Sequence, residues 1–336
     1  MQKRTFISLS IAVLGLLFLT GCGDSKESSA KQQTQPKEVK QVVLRIGAQP
    51  YPLYSSIFLA KNLGYLEEEL KKVNATFQWT EFKAGPLVNE AVAAGNADIG
   101  FMADMPAILA KSSGQDIQII ANIAYGEKAL ALIVKNDSEI GSVADLKGKK
   151  VAYVKGSYAQ HLLSLLLNKE GLSFNDIESV NITAGDIPAT LENKQIDAAI
   201  IWEQFISSLV TQGKAKVIAD GTGIKKGNMI TYSVKKFAEE NPKVIEAYIK
   251  AGQRASEYIK TNPKEAAEAI AKDFKIEPVV LEAIFKNLTF NQALSAEDIA
   301  EITKVKNYLL AEKAISNDIK IEEFVNTKYL QEAGIK

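Results

Sequence analysis

Short apolar runs alternate with longer amphipathic patterns along most of the chain. The first alternation runs from "VVLRIGA" at 42–48 through "SSIFLAKNLGYL" at 55–66 to "ATFQWTEF" at 75–82. Short apolar runs are typical of β-strands, and longer patterns with a period near 3.6 are typical of helices. Because strands that alternate with helices form βα units, the pattern predicts a mostly parallel sheet covered by helices.

A second α/β unit begins near "ALALIVK" at 129–135. The elements predicted after it are a short helix ending at Gly148, a strand over 150–153, a helix over 158–169, a strand near 179–182, a helix over 187–194 and the run "IDAAIIW" at 196–202. From Lys235 onward every segment has helical period and propensity, with Pro242 and Pro263 where first-turn prolines belong. The fold class is therefore α/β with a helical C-terminal part.

One motif occurs twice, as "MADMPAIL" at 102–109 and "AGDIPATL" at 184–191. In both copies the aspartate, Asp104 or Asp186, can cap a helix, since its carboxylate accepts hydrogen bonds from first-turn N–H groups. The segments that precede the two copies also correspond, because each predicts a helix, a turn and a strand. The repetition suggests two related lobes.

The first 21 residues predict a secretory signal. Lys3 and Arg4 precede an apolar run from Phe6 to Thr20, which is too short to span a membrane comfortably. The run ends in Leu-Thr-Gly-Cys22, which resembles a bacterial lipobox, and this resemblance implies that Cys22 becomes the diacylated N-terminus. The alternative is a signal peptide without lipidation, in which Cys22 is incidental.

Residues 22–41 are polar and predict a flexible tether between the anchor and the folded part. The chain of 336 residues, 46% of them hydrophobic, is long enough for two domains. Its 40 basic and 40 acidic residues cancel, so no nucleic acid partner is expected. With one cysteine, no disulfide can form within the chain.

Four loops are expected at the carboxyl ends of strands, at 47–55, 101–106, 154–160 and 201–205. Open α/β sheets bind ligands at this edge. Two of the loops at least run into helix starts, whose N–H groups and dipole favour an anion. The loops predict a cleft between two lobes that accepts a small anion.

From Leu44 to about Tyr232 the sequence resembles the substrate-binding lipoproteins of ABC importers for aliphatic sulfonates, taurine and nitrate, which are related to binding proteins for thiamine pyrimidine precursors. The motifs that carry the resemblance are "LRIG" (44–47), "FLAK" (58–61), "EFKAGP" (81–86), "AGNADIG" (94–100), "ADMP" (103–106), "VADLKGKKVAYVKGS" (143–157) and "IDAAIIWE" (196–203).

The resemblance implies a type II periplasmic-binding-protein fold, with two lobes around a cleft and a helical C-terminal extension. We expect 42–130 and 231–336 to form lobe 1, and 131–230 to form lobe 2. The chain is expected to cross between the lobes near 128–133 and 229–234. Closure of the two lobes about such crossings is a known switching mode.

The resemblance also implies a ligand site. Its residues in lobe 1 are Gln49, Tyr51, Tyr54, Ala103, Asp104 and Met105. Relatives usually have Thr-Gly-Asp where this chain has Met102, Ala103 and Asp104. Asp104 is interpreted as a helix cap that exposes backbone amides to the anion, rather than as a direct contact. Tyr51 and Tyr54 offer both an apolar face and a hydroxyl, although surface positions remain open for them.

In lobe 2 the implied site residues are Gly156, Ser157, Tyr158, Trp202 and Glu203. The Gly-Ser turn matches a family turn that holds an acidic head group, and the alternative is a turn that only starts a helix. Trp202 is expected to pack on the carbon part of the ligand, with a core position as the alternative. Glu203 is expected to meet an amine or to stabilise the closed state.

The remaining polar residues predict neither a metal nor a cofactor. His161 is the only histidine, so the usual His/Cys metal sets and most hydrolase triads are unavailable. We interpret it as structural or exposed. Since Arg45 lies within the first strand and Lys155 is expected in solvent, the head group should be held by amides.

The resulting hypothesis is an extracytoplasmic solute receptor of an ABC importer, a monomer anchored to the cell membrane through Cys22. Its partners are a small anionic ligand, with an aliphatic sulfonate or taurine favoured, and permease and ATPase subunits. Nitrate, a thiamine pyrimidine precursor or an aromatic acid remain alternative ligands. The other class is an enzyme, since related folds include menaquinone-pathway enzymes and yeast pyrimidine synthases. The lipobox argues against that class.

Overall fold

The computed structural model describes residues 40–82 and 85–336. The predicted signal peptide over 1–21, the lipidation site Cys22 and all but the last residues of the tether over 22–41 lie outside the described residues. The strands are β1 (Val42–Ala48), β2 (Ala75–Glu81), β3 (Ile99–Ala103), β4 (Ile117–Tyr125), β5 (Leu130–Lys135), β6 (Lys150–Tyr153), β7 (Glu178–Asn181), β8 (Ala198–Trp202), β9 (Ala215–Asp220), β10 (Met229–Val234) and β11 (Thr289–Phe290).

The α-helices are α1 (Ser55–Asn62), α2 (Tyr65–Lys71), α3 (Gly85–Ala93), α4 (Asp104–Ser112), α5 (Tyr158–Lys169), α6 (Ile187–Glu192), α7 (Phe205–Thr211), α8 (Lys235–Glu240), α9 (Pro242–Thr261), α10 (Pro263–Phe274), α11 (Pro278–Phe285), α12 (Ala296–Ala311), α13 (Ile321–Phe324) and α14 (Lys328–Glu332). Among them, none is long and apolar enough to cross a membrane. Short 3₁₀ helices lie at Pro52–Tyr54, Glu127–Ala129, Val143–Leu146 and Phe174–Asp176.

Local signals fix several helix starts as predicted. Pro242 and Pro263 occupy the first turns of α9 and α10. Ser295 and Asp298 form a complete capping box at α12, in which each side chain accepts a hydrogen bond from the main-chain N–H of the other. These starts satisfy N–H groups that the helices themselves leave free.

Two mixed sheets organise the described chain. The first has the order β11-β4-β10-β3-β1-β2 and the second has the order β7-β6-β8-β5-β9. The expectation of mostly parallel sheets is wrong. Parallel pairing is limited to β2-β1-β3 and to β7-β6-β8, whereas β10 and β5 run antiparallel to both of their neighbours. β5 is the first strand after the chain passes into the second sheet, and β10 is the first strand after it returns to the first sheet. Each runs antiparallel to the strands of the βα units beside it.

The chain passes from the first sheet to the second between β4 and β5, and it returns between β9 and β10. The connections are residues 126–129 and 221–228, and we call the second one the return connection. The predicted lobe boundaries, after 130 and after 230, fall one and two residues inside β5 and β10. Residues 41–336, which include both sheets, belong to one compact unit.

The central strands are buried on both faces. All five residues of β3 are buried, as are the first eight of β4 and the first five of β5. Strands covered on both sides read as continuous apolar runs, while an edge strand such as β2 exposes alternate positions. This burial holds the carboxyl ends of the central strands in fixed positions, and these ends carry the residues considered next.

Gly100 in the middle of β3 allows the strand to lie against Tyr232 of β10. A Cβ atom at Gly100 would overlap the ring and the hydroxyl of Tyr232, and this hydroxyl donates a hydrogen bond to Asn89 Oδ1 at 2.9 Å. Tyr232 is fully buried, so it has little room to move.

We therefore expect Gly100→Ala to lower the free energy of unfolding by about 1–3 kcal/mol, the usual cost of overpacking a core. Gly185→Ala is the matched control. Nothing lies within 4 Å of a Cβ atom at Gly185, and its change should stay within about 0.5 kcal/mol. Urea unfolding followed by circular dichroism measures the free energy of unfolding of both variants. Equal decreases in the two variants would contradict a clash between a Cβ atom at Gly100 and Tyr232.

Candidate functional site

Segments from both sheets meet where the central strands end. From the second sheet, the ring of Tyr158 lies 5.7 Å from the ring of Trp202. The fully buried Tyr158 hydroxyl has a pKa raised first by burial and then by the nearby Tyr54, Asp104 and Glu203. Tyr54 and Asp104 follow β1 and β3 of the first sheet. Tyr54, Asp104, Trp202 and Glu203, which are four of the predicted site residues, thus lie near Tyr158.

The loop after β1 is fixed to the first sheet. Gln49 is buried, and its Nε2 donates to the carbonyl oxygen of Phe101 at 2.8 Å. Tyr54 is buried with its ring 4.8 Å from the ring of Phe101, and burial raises its pKa. Tyr51 is half-buried. Tyr54 is therefore not a surface aromatic, and it lies at the end of the first sheet near Tyr158.

Asp104 does not cap α4. It is the first residue of the helix, and Ala103 occupies the capping position without a side-chain bond. The Asp104 carboxylate is fully buried, where Oδ1 accepts from the N–H of Met105 at 2.7 Å and Oδ2 lies 3.1 Å from Lys225 Nζ. Asp186, in the second copy of the motif, also makes no capping bond and accepts from the Thr183 hydroxyl at 2.7 Å.

The cap prediction failed at Asp104 because α4 begins one residue earlier than expected, at Asp104 itself, and the carboxylate there bonds to the Met105 N–H and pairs with Lys225. A hydrogen bond between two charged groups is roughly twice as strong as a neutral one. The local pattern gives no sign of Lys225, which is 121 residues away in the sequence.

Lys225 is the main residue that the sequence did not reveal. It lies in the return connection, its side chain has no exposed surface, and its Nζ is also 3.4 Å from Glu301 Oε1 of α12. Neighbouring Lys226 pairs with Asp298 at 2.7 Å. The only feature of the sequence that could have indicated Lys225 is the pair of lysines in the short segment predicted to cross between the lobes. Arg45, by contrast, is bound to Asp98, and Lys155 is exposed as expected.

The backbone amides expected to bind an anion already have acceptors. The N–H of Asp104 donates to the carbonyl oxygen of Asn228 at 3.1 Å, and that of Met105 donates to the Asp104 carboxylate. In the Gly-Ser turn, the N–H of Gly156 donates to Gln160 Oε1 at 2.7 Å and that of Ser157 donates to Val154 at 3.2 Å.

The side chain of Ser157 is also occupied, because it caps α5 and its hydroxyl donates to the carbonyl oxygen of Val154 at 2.7 Å. The Tyr158 hydroxyl differs, since it is buried and has no hydrogen-bond partner within the described residues. A buried hydroxyl without a partner is costly. Of the groups predicted in this turn, Tyr158 is therefore the one available to a ligand.

Glu203 joins the two sheets. It is fully buried after β8, with Oε2 accepting from the N–H of Ser207 at 3.1 Å and Oε1 accepting from Asn287 Nδ2 at 2.7 Å. Asn287 lies just before β11 of the first sheet. Burial raises the pKa of Glu203, while the two hydrogen bonds lower it. Glu203 thus bonds across the two sheets, and its expected role in a closed state stays a prediction, while Trp202 is half-buried beside Tyr158.

His161 is structural in the arrangement described here. It is buried on α5, and its ring stacks on Tyr308 of α12 with 4.4 Å between the centroids. Burial, with the nearby charge of Lys225, lowers its pKa from 6.5 to about 3. Within residues 40–82 and 85–336, no group of three His, Cys, Asp or Glu side chains could hold a metal ion.

Comparisons with known proteins show the family and the fold. A family model described as NMT1/THI5 like matches residues 52–266. A candidate aliphatic sulfonates-binding protein of Escherichia coli (strain K12) is 31% identical over 269 residues, which are 80% of this chain and 79% of that protein. The solved alkanesulfonate-binding protein SsuA from Xanthomonas axonopodis pv. citri, bound to MOPS, is 28% identical with a TM-score of 0.76, over 86% of this chain and 99% of that one.

The desulfurization enzyme DszB, 13% identical with a TM-score of 0.67 over 87% of this chain and 99% of its own, shares the fold alone. The predicted type II periplasmic-binding-protein fold is confirmed by these likenesses. The more similar relatives are binding proteins.

The burial of His161 predicts that its imidazole stays neutral near physiological pH. Its proton NMR signals, unique because the chain has one histidine, should not move between about pH 5 and 8. Below its ordinary pKa of 6.5 the unfolded chain takes up a proton that the folded chain does not. The free energy of unfolding should therefore fall as the pH falls from about 6.5 towards 3. His161→Gln should remove this contribution, and a titration midpoint near 6.5 in the folded wild type would contradict it.

Proposed function

Since the chain belongs to the NMT1/THI5-like family, we propose that it is the extracytoplasmic solute receptor of an ABC importer, which binds a small anionic organic molecule between its two lobes. The observation that carries this proposal is the meeting of both sheets at Tyr158. A buried hydroxyl without a partner there lies beside Tyr54 and Asp104 of the opposite sheet.

The residues around Tyr158 suit a ligand with an apolar part and a polar head. The rings of Tyr158 and Trp202 form one wall, and the ring of Tyr54 comes from the other sheet. Aromatic rings bury much apolar surface, and tyrosine adds a hydroxyl donor. The wall would hold the carbon part, and the Tyr158 hydroxyl would donate to the head group.

Relatives guide the choice of ligand. The Escherichia coli relative is described as a candidate aliphatic sulfonates-binding protein, and the Xanthomonas structure is that of an alkanesulfonate-binding protein. An Escherichia coli taurine-binding periplasmic protein is also related. We propose an aliphatic sulfonate or taurine as the ligand of this chain, with nitrate, a thiamine pyrimidine precursor and an aromatic acid as the ligands to be tested against it.

The proposed action is binding and delivery rather than catalysis. We propose that the two sheets mark two lobes, which close by rotation about the two connections at 126–129 and 221–228. Glu203 and Asn287 would then form one of the contacts of the closed state. The closed receptor, as a monomer, would present the ligand to permease and ATPase subunits.

The chain is further proposed to be held at the extracytoplasmic face of the membrane by lipidated Cys22. The support is the lipobox-like Leu-Thr-Gly-Cys22 sequence after the apolar run, followed by the polar tether over 22–41. Two acyl chains are needed for stable anchoring, and a diacylated cysteine supplies both.

We expect thermal unfolding of the full chain in detergent, followed by circular dichroism, to shift with an aliphatic sulfonate or taurine. A ligand that binds only the folded state adds about 2.7 kcal/mol of stability at about 100 times its Kd, which raises the midpoint by several degrees. No shift with any sulfonate, together with a shift with a pyrimidine or an aromatic acid, would contradict the proposed ligand class. Release of a chemically changed product would contradict the binding role.

In the same assay Trp202→Ala should weaken binding at least tenfold, since a buried aromatic contact is worth more than about 1.5 kcal/mol. Trp79→Ala is the matched control, because Trp79 is the other tryptophan and packs on Phe58 and Phe101 rather than on Tyr158. It should lower stability without changing affinity. Equal affinity in wild type and Trp202→Ala would remove Trp202 from the site.

If Cys22 anchors the protein, its substitution should change where the protein is found in the cell. Cys22→Ser, expressed in a bacterium, should move the protein from the membrane fraction to the soluble extracytoplasmic fraction and abolish labelling by a palmitate analogue. Ser25→Ala in the same segment should leave both unchanged. Continued labelling of Cys22→Ser would contradict lipidation at this cysteine.

A further inference from the structure

Three buried charged groups lie at the end of α4 that faces the second sheet. Lys225 Nζ is 3.1 Å from Asp104 Oδ2 and 3.4 Å from Glu301 Oε1, and the three side chains are at least 93% buried. A buried charge is stable only when it is paired, and here one ammonium serves two carboxylates. Lys304 is 3.7 Å from Glu301, but its side chain is 72% exposed, so water screens its contribution. The cluster therefore holds one negative charge that is poorly compensated.

Lys225 also has a free donor. An ammonium has three N–H groups. Two of them point to Asp104 and Glu301, and the third makes no hydrogen bond to the described residues. The Tyr158 hydroxyl, which faces Asp104 from α5, likewise has no partner in the described part of the chain. Two buried donors without acceptors thus lie around Asp104, on the side where the two sheets meet.

An anion that accepted from these donors would place a second uncompensated negative charge in the cluster. Burial of such a charge costs several kcal/mol unless another group changes its charge. The charged and titratable groups around Asp104 are Lys225 of the return connection, Glu301 of α12, and Tyr158 of α5, with His161 close to Lys225, and Tyr54 and Glu203 close to Tyr158. Asp104 is the proposed proton acceptor, since its side chain has no exposed surface and lies next to both Lys225 and Tyr158. Burial raises its pKa, and Glu301 raises it further, against the lowering by Lys225.

We propose that Asp104, Lys225 and Glu301 form an anion site that is balanced by a proton: Lys225 donates to the anionic head group of the ligand, and Asp104 takes up one proton from the solvent in the same step. The proton forms the O–H bond of the Asp104 carboxyl group, which then becomes a donor to the anion rather than a charge that repels it. This inference rests on the proposed function. It adds the residues that would give the receptor its preference for anionic ligands.

The sign of the pH dependence follows from this exchange. The bound anion raises the pKa of Asp104 beyond its value in the free protein, so the complex holds more protons than the free protein does. The affinity for an anion should therefore fall as the pH rises. An uncharged ligand of the same shape should show no such dependence.

Isothermal titration calorimetry of the full chain with ethanesulfonate tests the proposal, in Tris and in phosphate at about pH 7. The dependence of the heat on the ionisation enthalpy of the buffer counts the protons taken up. We expect the wild type to take up about one proton when it binds ethanesulfonate and no proton when it binds uncharged ethanesulfonamide. Asp104→Asn should take up none and should bind ethanesulfonate more tightly than wild type at about pH 8, because no proton has to be supplied. Glu246→Gln, which removes a buried carboxylate on α9, is the matched control and should keep the wild-type count.

Lys225→Met should weaken ethanesulfonate binding at least tenfold. Since two unpaired carboxylates can unfold that variant, Lys225→Met/Asp104→Asn, with one carboxylate removed, keeps the test possible and should still bind more weakly than Asp104→Asn alone. Binding without proton uptake by the wild type would overturn the proton-balanced site and leave the proposed function standing. Loss of uptake in His161→Gln, with retention in Asp104→Asn, would also overturn it. Absence of binding by any sulfonate to the folded protein would overturn both.

Discussion

The contact of Lys225 with Asp104 and Glu301 ties together the parts of the molecule on which the site depends. Asp104 follows β3, Lys225 lies in the return connection, and Glu301 belongs to α12. Each is buried, so loss of the ammonium would leave two carboxylates unpaired at a cost of several kcal/mol. The end of a central strand, a crossing between the sheets and a C-terminal helix are thus held at one point. This explains how a helix that begins at residue 296 comes to contact the end of β3.

The same region changes the account of how an anion would be bound. Helix N-termini attract anions through unpaired N–H groups. In this structure the N–H of Asp104 donates to Asn228 of the return connection, and the N–H of Gly156 donates to Gln160. Beside Asp104, two side-chain donors make no such bond to the described residues, the Tyr158 hydroxyl and one N–H of Lys225. A site built from side chains does not need the small residues that let an anion approach the backbone. Met102 and Ala103 are therefore compatible with anion binding here.

Much of the fold could be predicted from the sequence, because its signals are local. The helix over 158–169 and the strand over 150–153 have the predicted bounds, and the capping box at Ser295 forms as expected. The direction of β5 and β10 could not be predicted, because it depends on where the chain crosses between sheets. Of the site, Tyr158, Trp202 and Asp104 lie where the edge loops placed them. Lys225, Glu301, Asn287 and Tyr308 were missed, since each contacts a partner far away in the sequence and none lies in a motif. The failed cap at Asp104 has a local part and a remote part, since α4 begins at Asp104 itself and the carboxylate bonds both to the Met105 N–H and to the remote Lys225.

The contacts that join the two sheets are separate from the aromatic wall. Glu203 of the second sheet bonds to Asn287 before β11, and His161 of α5 stacks on Tyr308 of α12. Asn287 and Tyr308, the partners on the side of the first sheet, belong to C-terminal segments. Tyr54 and Asp104 instead follow β1 and β3. A charge-assisted hydrogen bond and a ring stack can therefore stabilise the closed arrangement without contacting the carbon part of a ligand. Residues of the wall can then change with the ligand while the closing contacts persist.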